Sequence, residues 1–131
     1  MPTVLVVDDE ALFRTGIVRL LAKRGFEILE ADCAKSALAQ LANPGTNIDL
    51  ILVDVVLPNT NGLALAERAR DLNPNLKVLL MSGYPIQTLE RHFGMSKELL
   101  PIFLHKPFEI GTLVDRILEL LRGAEVGGGA L

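Results

Sequence analysis

The sequence predicts an α/β protein built on one open, doubly wound parallel sheet of five strands. Short apolar runs recur along the chain, among them Val4-Leu5-Val6-Val7, Ile48-Asp49-Leu50-Ile51-Leu52-Val53 and Leu76-Lys77-Val78-Leu79-Leu80-Met81. Runs of this length, closed by turn residues, read as strands buried on both faces. Segments with helical spacing alternate with them, and such alternation implies parallel strands joined by right-handed crossovers with helices on both faces. The runs also end alike, meeting Asp8, Asp54 and Ser82 where each would leave the core.

Taken in order, the first strand covers 4–7 and stops at Asp8-Asp9-Glu10. From Ala11 onward Phe13, Gly16, Ile17, Leu20 and Leu21 recur at helical spacing until Gly25, while Leu12 and Val18 fall off that stripe. Phe26-Glu27-Ile28-Leu29-Glu30 partly alternates, as a strand near the sheet edge does. Residues 34–41 form a short alanine-rich helix ended by Asn43-Pro44-Gly45. The third strand, 48–54, ends on Asp54, and Leu63, Ala66 and Ala69 then predict a helix over 62–70 capped by Asn61. The fourth strand runs into Ser82-Gly83-Tyr84-Pro85, and a short helix over 86–93 ends at Gly94. An irregular stretch leads to Pro101. Ile102-Phe103-Leu104-His105-Lys106 is the fifth strand, and beyond Pro107 a last helix turns Ile110, Leu113, Ile117, Leu120 and Leu121 inward. Residues 1–122 read as one domain, and 123–131, with Gly127-Gly128-Gly129, as a glycine-rich tail or truncated linker. No output domain is expected after the last helix.

A chain of 131 residues suits a single domain. Its formal net charge of −3 supplies no basic field for phosphate backbones, so nucleic acid is not expected as a direct ligand. Cys33 is the one cysteine, which excludes an internal disulfide and a cysteine-cluster metal site, and fits a reducing, cytoplasmic setting. The opening apolar run is too short for a signal sequence or a membrane span.

In open parallel sheets, ligands bind outside the carboxyl ends of the strands, where strand order reverses. Asp8, Asp9, Asp54, Ser82 and Lys106 all fall at such ends. Three gathered carboxylates repel one another unless a cation sits among them, and Mg²⁺, a hard ion that prefers oxygen, is the expected guest. A lysine ammonium and a small hydroxyl beside them complete a site able to hold a phosphoryl group, which points to phosphoryl transfer onto Asp54.

The motifs Val7-Asp8-Asp9-Glu10, Asp54 with Leu57-Pro58 and Gly62, Met81-Ser82-Gly83, and Phe103-Leu104-His105-Lys106-Pro107-Phe108 resemble the receiver domain of two-component response regulators. The resemblance runs from Thr3 to about Arg122. It implies a flavodoxin-like (βα)5 fold with strand order 2-1-3-4-5 and a signalling domain rather than an enzyme. Asp54 would accept phosphate from a phosphohistidine on a sensor histidine kinase or histidine phosphotransfer protein. Asp9, Asp54 and the backbone carbonyl of Val56 would ligate Mg²⁺, with Asp8 acting largely through water. Ser82 and Lys106 would each bind a phosphoryl oxygen, and the Lys106-Pro107 bond would be cis. Phe103 stands at the family's switch position, often tyrosine, so the switch would be steric only. Val56 and Tyr84 flank the path of an attacking water in relatives; an apolar side chain and a bulky ring there imply a long-lived phosphoaspartate.

Leu12, Phe13 and Gly16, on the first turns of a helix beside the acidic pair, are expected to form part of the donor docking surface. The chain is expected to be a monomer or a weak phosphorylation-dependent dimer. His92, His105 and Cys33 read as surface or packing residues. Two contexts fit, a stand-alone regulator or a receiver of a hybrid sensor kinase, and the Met81-Ser82-Gly83-Tyr84 wording favours the second. Alternatives are an aspartyl-nucleophile phosphohydrolase, disfavoured because Val56 stands where a second acid is usual, and a phosphate-independent interaction module.

Overall fold

The structure, a computed structural model, describes residues 1–123, so the expected glycine-rich tail, 123–131, lies outside the described residues from 124 onward. Its strands are β1 (Thr3–Val7), β2 (Glu27–Ala31), β3 (Leu50–Asp54), β4 (Val56–Leu57), β5 (Thr60–Asn61), β6 (Lys77–Ser82) and β7 (Phe103–His105). The helices are α1 (Ala11–Lys23), α2 (Ala34–Ala42), α3 (Gly62–Leu72), α4 (Ile86–Phe93) and α5 (Ile110–Leu121), with a 3₁₀ turn over Lys97–Ile102. Five strands form one sheet in the order β2-β1-β3-β6-β7, all pairs parallel. Because β4 and β5 form a separate two-residue hairpin, this order is the expected 2-1-3-4-5.

Every residue of β3 is buried, as a central strand covered on both faces requires. Side chains alternate between faces along each strand. Leu5, Val7, Ile51, Val53, Val78 and Leu80 meet Ala37 of α2 and Leu65, Ala66 and Ala69 of α3 on one side. Val4, Val6, Leu50, Leu52, Leu79 and Met81 meet Ile17 and Leu21 of α1 and Leu113 and Ile117 of α5 on the other. Truncating a fully buried leucine such as Leu52 to alanine removes about 2–5 kcal/mol by lost transfer energy and the cavity left behind.

Several local expectations are refined. Leu20 is 41% exposed, whereas Val18 packs against the α1–α5 core. Ile17 and Leu21 carry the apolar stripe. Successive residues of a helix stand about 100° apart, so Val18 and Leu20 flank that stripe on opposite sides, and the rotation of α1 over the sheet turns the Val18 side inward. The stretch before Pro101 is a 3₁₀ turn whose Ser96 Oγ accepts the Glu98 N–H at 3.2 Å. Asn61 caps α3 as expected, its Oδ1 accepting the Ala64 N–H at 2.9 Å. Among the described residues no helix is long and apolar enough to cross a membrane.

Candidate functional site

Ladder hydrogen bonds continue one step beyond the strands: the Asp8 N–H donates to the Ala31 carbonyl at 3.1 Å, and the Lys106 N–H to the Ser82 carbonyl at 2.8 Å. Strand alternation therefore still governs where these side chains point. Asp8, Asp54 and Lys106 each stand two residues after Val6, Leu52 and Leu104, which share the α1–α5 face of the sheet. Parallel strands bring the three ends to one edge, and the side chains meet there. Ser82 follows Leu80 on the opposite face, in line with Phe103, the register partner of Leu80.

The Lys106 Nζ donates to Asp8 Oδ2 at 2.6 Å and to Asp54 Oδ2 at 2.7 Å. The remaining carboxylate oxygens are held by backbone N–H groups two residues on: Asp8 Oδ1 by Glu10 at 2.9 Å and Asp54 Oδ1 by Val56 at 2.8 Å. Each carboxylate is thus fixed at both oxygens, a charge-assisted arrangement that locks its rotamer. The Arg14 guanidinium further ties the loop by donating to the Asp8 carbonyl at 2.6 Å and to Glu30 Oε1 at 2.9 Å.

Burial raises the Asp54 carboxyl above its ordinary pKa, with the hydrogen bonds from Lys106 and the Val56 N–H only partly countering it. Burial also works against the Lys106 ammonium, but its hydrogen bonds to Asp54 and Asp8 prevail and carry its pKa upward. At Asp54 burial outweighs the single ammonium, and the nearby Asp8 charge adds a little in the same direction, whereas Lys106 is held by two carboxylates. Two carboxylates and one ammonium leave the pocket short of positive charge.

A cleft of about 550 Å³ opens over these groups, lined by Asp8, Asp9, Asp54, Val56, Ser82 and Tyr84, among others. Asp9 is exposed at its wall, so Asp8 and Asp54 are the carboxylates that converge directly. Among the described residues no group of three or more His, Cys, Asp and Glu side chains is gathered for a metal. The donor chemistry nonetheless suits a hard divalent cation: the cleft offers carboxylate and peptide oxygens, and its buried Asp54 lacks full charge compensation.

Ser82 is fully buried, and its Oγ accepts the Tyr84 N–H at 3.1 Å, while Tyr84 itself is 49% exposed. Phe103 is buried with Leu89, Met95 and Leu99, so its ring already occupies the inward side. The Lys106-Pro107 peptide is cis. Leu12 is 89% exposed on α1 and Gly16 is also exposed, whereas Phe13 is half-buried and touches Lys106. His105 is exposed on the strand face opposite Lys106, and His92 is exposed on α4. Sequence reasoning missed Arg14 and the close packing of Gly62. Arg14 has no local motif to flag it, whereas Gly62 reads in sequence as a motif residue and a helix start, with nothing to show the close backbone approach.

A parallel α/β sheet with paired acids, a hydroxyl and a lysine at the carboxyl ends of its strands is an arrangement chemically able to hold a phosphoryl group. The family model for the response regulator receiver domain matches residues 4–118, and the chain belongs to that family. It is 34% identical over 119 residues to the sensor kinase CckA of Brucella abortus, covering 91% of this chain but 12% of that protein. The response regulator receiver protein CpdR of Brucella abortus is 29% identical, with 95% of this chain and 100% of that protein covered. A probable transcriptional regulatory protein of Picosynechococcus is 36% identical, with 91% of this chain and 49% of that protein covered. The chain therefore spans only a fraction of some relatives and the whole of another. Among solved structures, the CheY-like receiver domain protein from Methanospirillum hungatei superposes with a TM-score of 0.78 at 26% identity, covering 94% of this chain and 95% of that one. The receiver domain of the hybrid histidine kinase CckA superposes with a TM-score of 0.72 at 32% identity, covering 91% of this chain and 98% of that one.

Proposed function

We propose that this receiver domain is a phosphorylation-driven signalling switch that takes a phosphoryl group onto Asp54 from a phosphohistidine on a sensor kinase or histidine phosphotransfer protein. The observation that carries the reading is the Lys106 ammonium bridging Asp8 and Asp54, 2.6 and 2.7 Å away, two carboxylates that themselves line the cleft. In the transfer, a carboxylate oxygen of Asp54 bonds to phosphorus as the phosphorus–nitrogen bond breaks. The donor imidazole leaves with the electron pair and takes up a proton. Lys106 exchanges Asp54 for a phosphoryl oxygen, and the Ser82 hydroxyl donates to another. Asp8, Asp9, Asp54 and the Val56 carbonyl would hold Mg²⁺, which when bound neutralises phosphoryl charge.

Drawing Ser82 toward the phosphoryl group shifts the row that Leu80 and Phe103 occupy, so the signal is steric. Val56 and Tyr84 at the cleft wall position water poorly, which favours slow loss of the phosphoryl group. Similarity to the sensor kinase CckA and to the single-domain protein CpdR supports both a hybrid-kinase and a stand-alone context, at the level of the receiver domain. NMR of the labelled chain with Mg²⁺ and a beryllofluoride phosphoryl mimic tests the switch. The expected result is saturable shifts at Asp54, Ser82, Phe103 and Lys106 that need both reagents; an unchanged Ser82–Phe103 region in the saturated complex would rule out the switch.

A further inference from the structure

The Lys106 ammonium lies 4.0 Å from the centroid of the Phe13 ring, and that ring meets Phe108 edge to face, with centroids 5.9 Å apart and planes at 87°. An ammonium has three N–H groups. Here two point to Asp8 and Asp54, and the third side of the cation is covered by an aromatic face. The Lys106 side chain is only 13% exposed, so water has little access to it. A cation over a ring face is attracted to its quadrupole, more strongly when desolvated. Phe108, two residues beyond Lys106, braces the ring from the edge, the favoured geometry for an aromatic pair.

We infer that Phe13 is a positioning residue for phosphoryl acceptance: its ring, braced by Phe108, holds the Lys106 ammonium in place while that ammonium exchanges Asp54 for the incoming phosphoryl oxygen. This rests on Asp54 being the phosphoacceptor. During the exchange Lys106 loses one carboxylate contact before the phosphoryl contact is complete. Asp8 and the Phe13 ring are the two partners that persist through it. An aliphatic side chain of similar bulk fills the same space but offers no negative face, so Lys106 would spend more time solvated and misdirected. Because Phe13 also stands on α1, where a protein donor is expected to dock, a small donor is needed to separate the two roles.

The test is the rate of Asp54 phosphorylation by a small phosphodonor, such as phosphoramidate, at saturating Mg²⁺, in wild type, Phe13→Leu, Phe13→Tyr and Phe108→Leu, each checked for cooperative melting. Phe13→Leu is expected to react about threefold to tenfold more slowly, while Phe13→Tyr stays within about twofold of wild type. Equal rates for wild type and Phe13→Leu, or equal slowing by Leu and Tyr, would overturn the inference. If Phe13→Leu does not fold, Phe108→Leu decides: slowing of about twofold or more supports a braced ring, and an unchanged rate refutes it. Failure of wild type itself to label at Asp54 would instead strike the underlying assignment of the acceptor.

Discussion

At Lys106 one cation serves two carboxylates, and the charge left over falls on Asp54, whose carboxyl burial raises above its ordinary pKa. Between that ordinary value, 3.8, and the raised folded value, the folded chain binds more protons than the unfolded chain. The contribution of Asp54 to stability therefore falls as pH climbs through that window and stays unfavourable above it in metal-free buffer. Lys106 works in the other direction: its raised pKa contributes stability below its ordinary 10.5 and loses it as pH climbs through the folded value. Asparagine keeps the shape of Asp54 without its charge. In buffer containing a chelator, Asp54→Asn is expected to melt higher than wild type at neutral pH, with the gap closing as the solution is acidified below the window. A wild type that melts higher at neutral pH would contradict this charge balance.

Among elements, the β3–α3 connection holds Asp54 in place. Asp54 ends β3, the two-residue hairpin follows, and α3 starts at Gly62 directly against it, with the Gly62 N–H donating to the Val55 carbonyl at 2.7 Å. A Cβ at Gly62 would clash with the Asp54 carbonyl oxygen and lie 2.9 Å from Val55 Cα, both backbone atoms that cannot swing away. Gly62→Ala should therefore destabilise the fold by about 1–3 kcal/mol or more, measured by urea unfolding, even though alanine is the better helix former. A neutral or stabilising effect would show that the hairpin yields freely. This contact also marks a limit of legibility. β1, β3 and β6 are legible as mainly apolar runs, and Asp8, Asp54 and Ser82 because each ends or follows one of them, while Lys106 follows the shorter β7. Asn61 and Gly62 are legible as the cap and start of a helix, but the close backbone approach of Gly62 depends on the tertiary path. The exposure of Leu20 and the packing of Val18 likewise depend on how α1 is rotated about its axis over the sheet, which one helix's periodicity specifies only to within a residue. The 3₁₀ turn over Lys97–Ile102 has no legible periodicity because it is only 6 residues long and contains Pro101.

Across the whole molecule, the parallel sheet brings groups nearly a hundred residues apart in sequence to one edge, as the Lys106–Asp8 pair shows. Strand alternation then sorts them by face. Asp8, Asp54 and Lys106 lie with the α1–α5 side, while Ser82 lies in line with Phe103 on the side of α2, α3 and α4. A donor approaching along α1 would meet the reactive edge, whereas any change at Ser82 would be felt on the far face. Under the proposed function, phosphoryl acceptance and signal output would be separated by one sheet. That division was latent in the sequence, since the residue two before each site residue already carried the alternation; the Phe13–Lys106 contact was not, because it joins a helix to a strand end by packing alone. The central question is whether Asp54, rather than another carboxylate of the site, receives the phosphoryl group. Labelling the chain with a small phosphodonor and Mg²⁺, trapping the acyl phosphate with borohydride and mapping the modified peptide by mass spectrometry measures this. The expected result is a single reduced site at Asp54, absent in Asp54→Asn; modification at Asp8 or Asp9, or none at all, would contradict it.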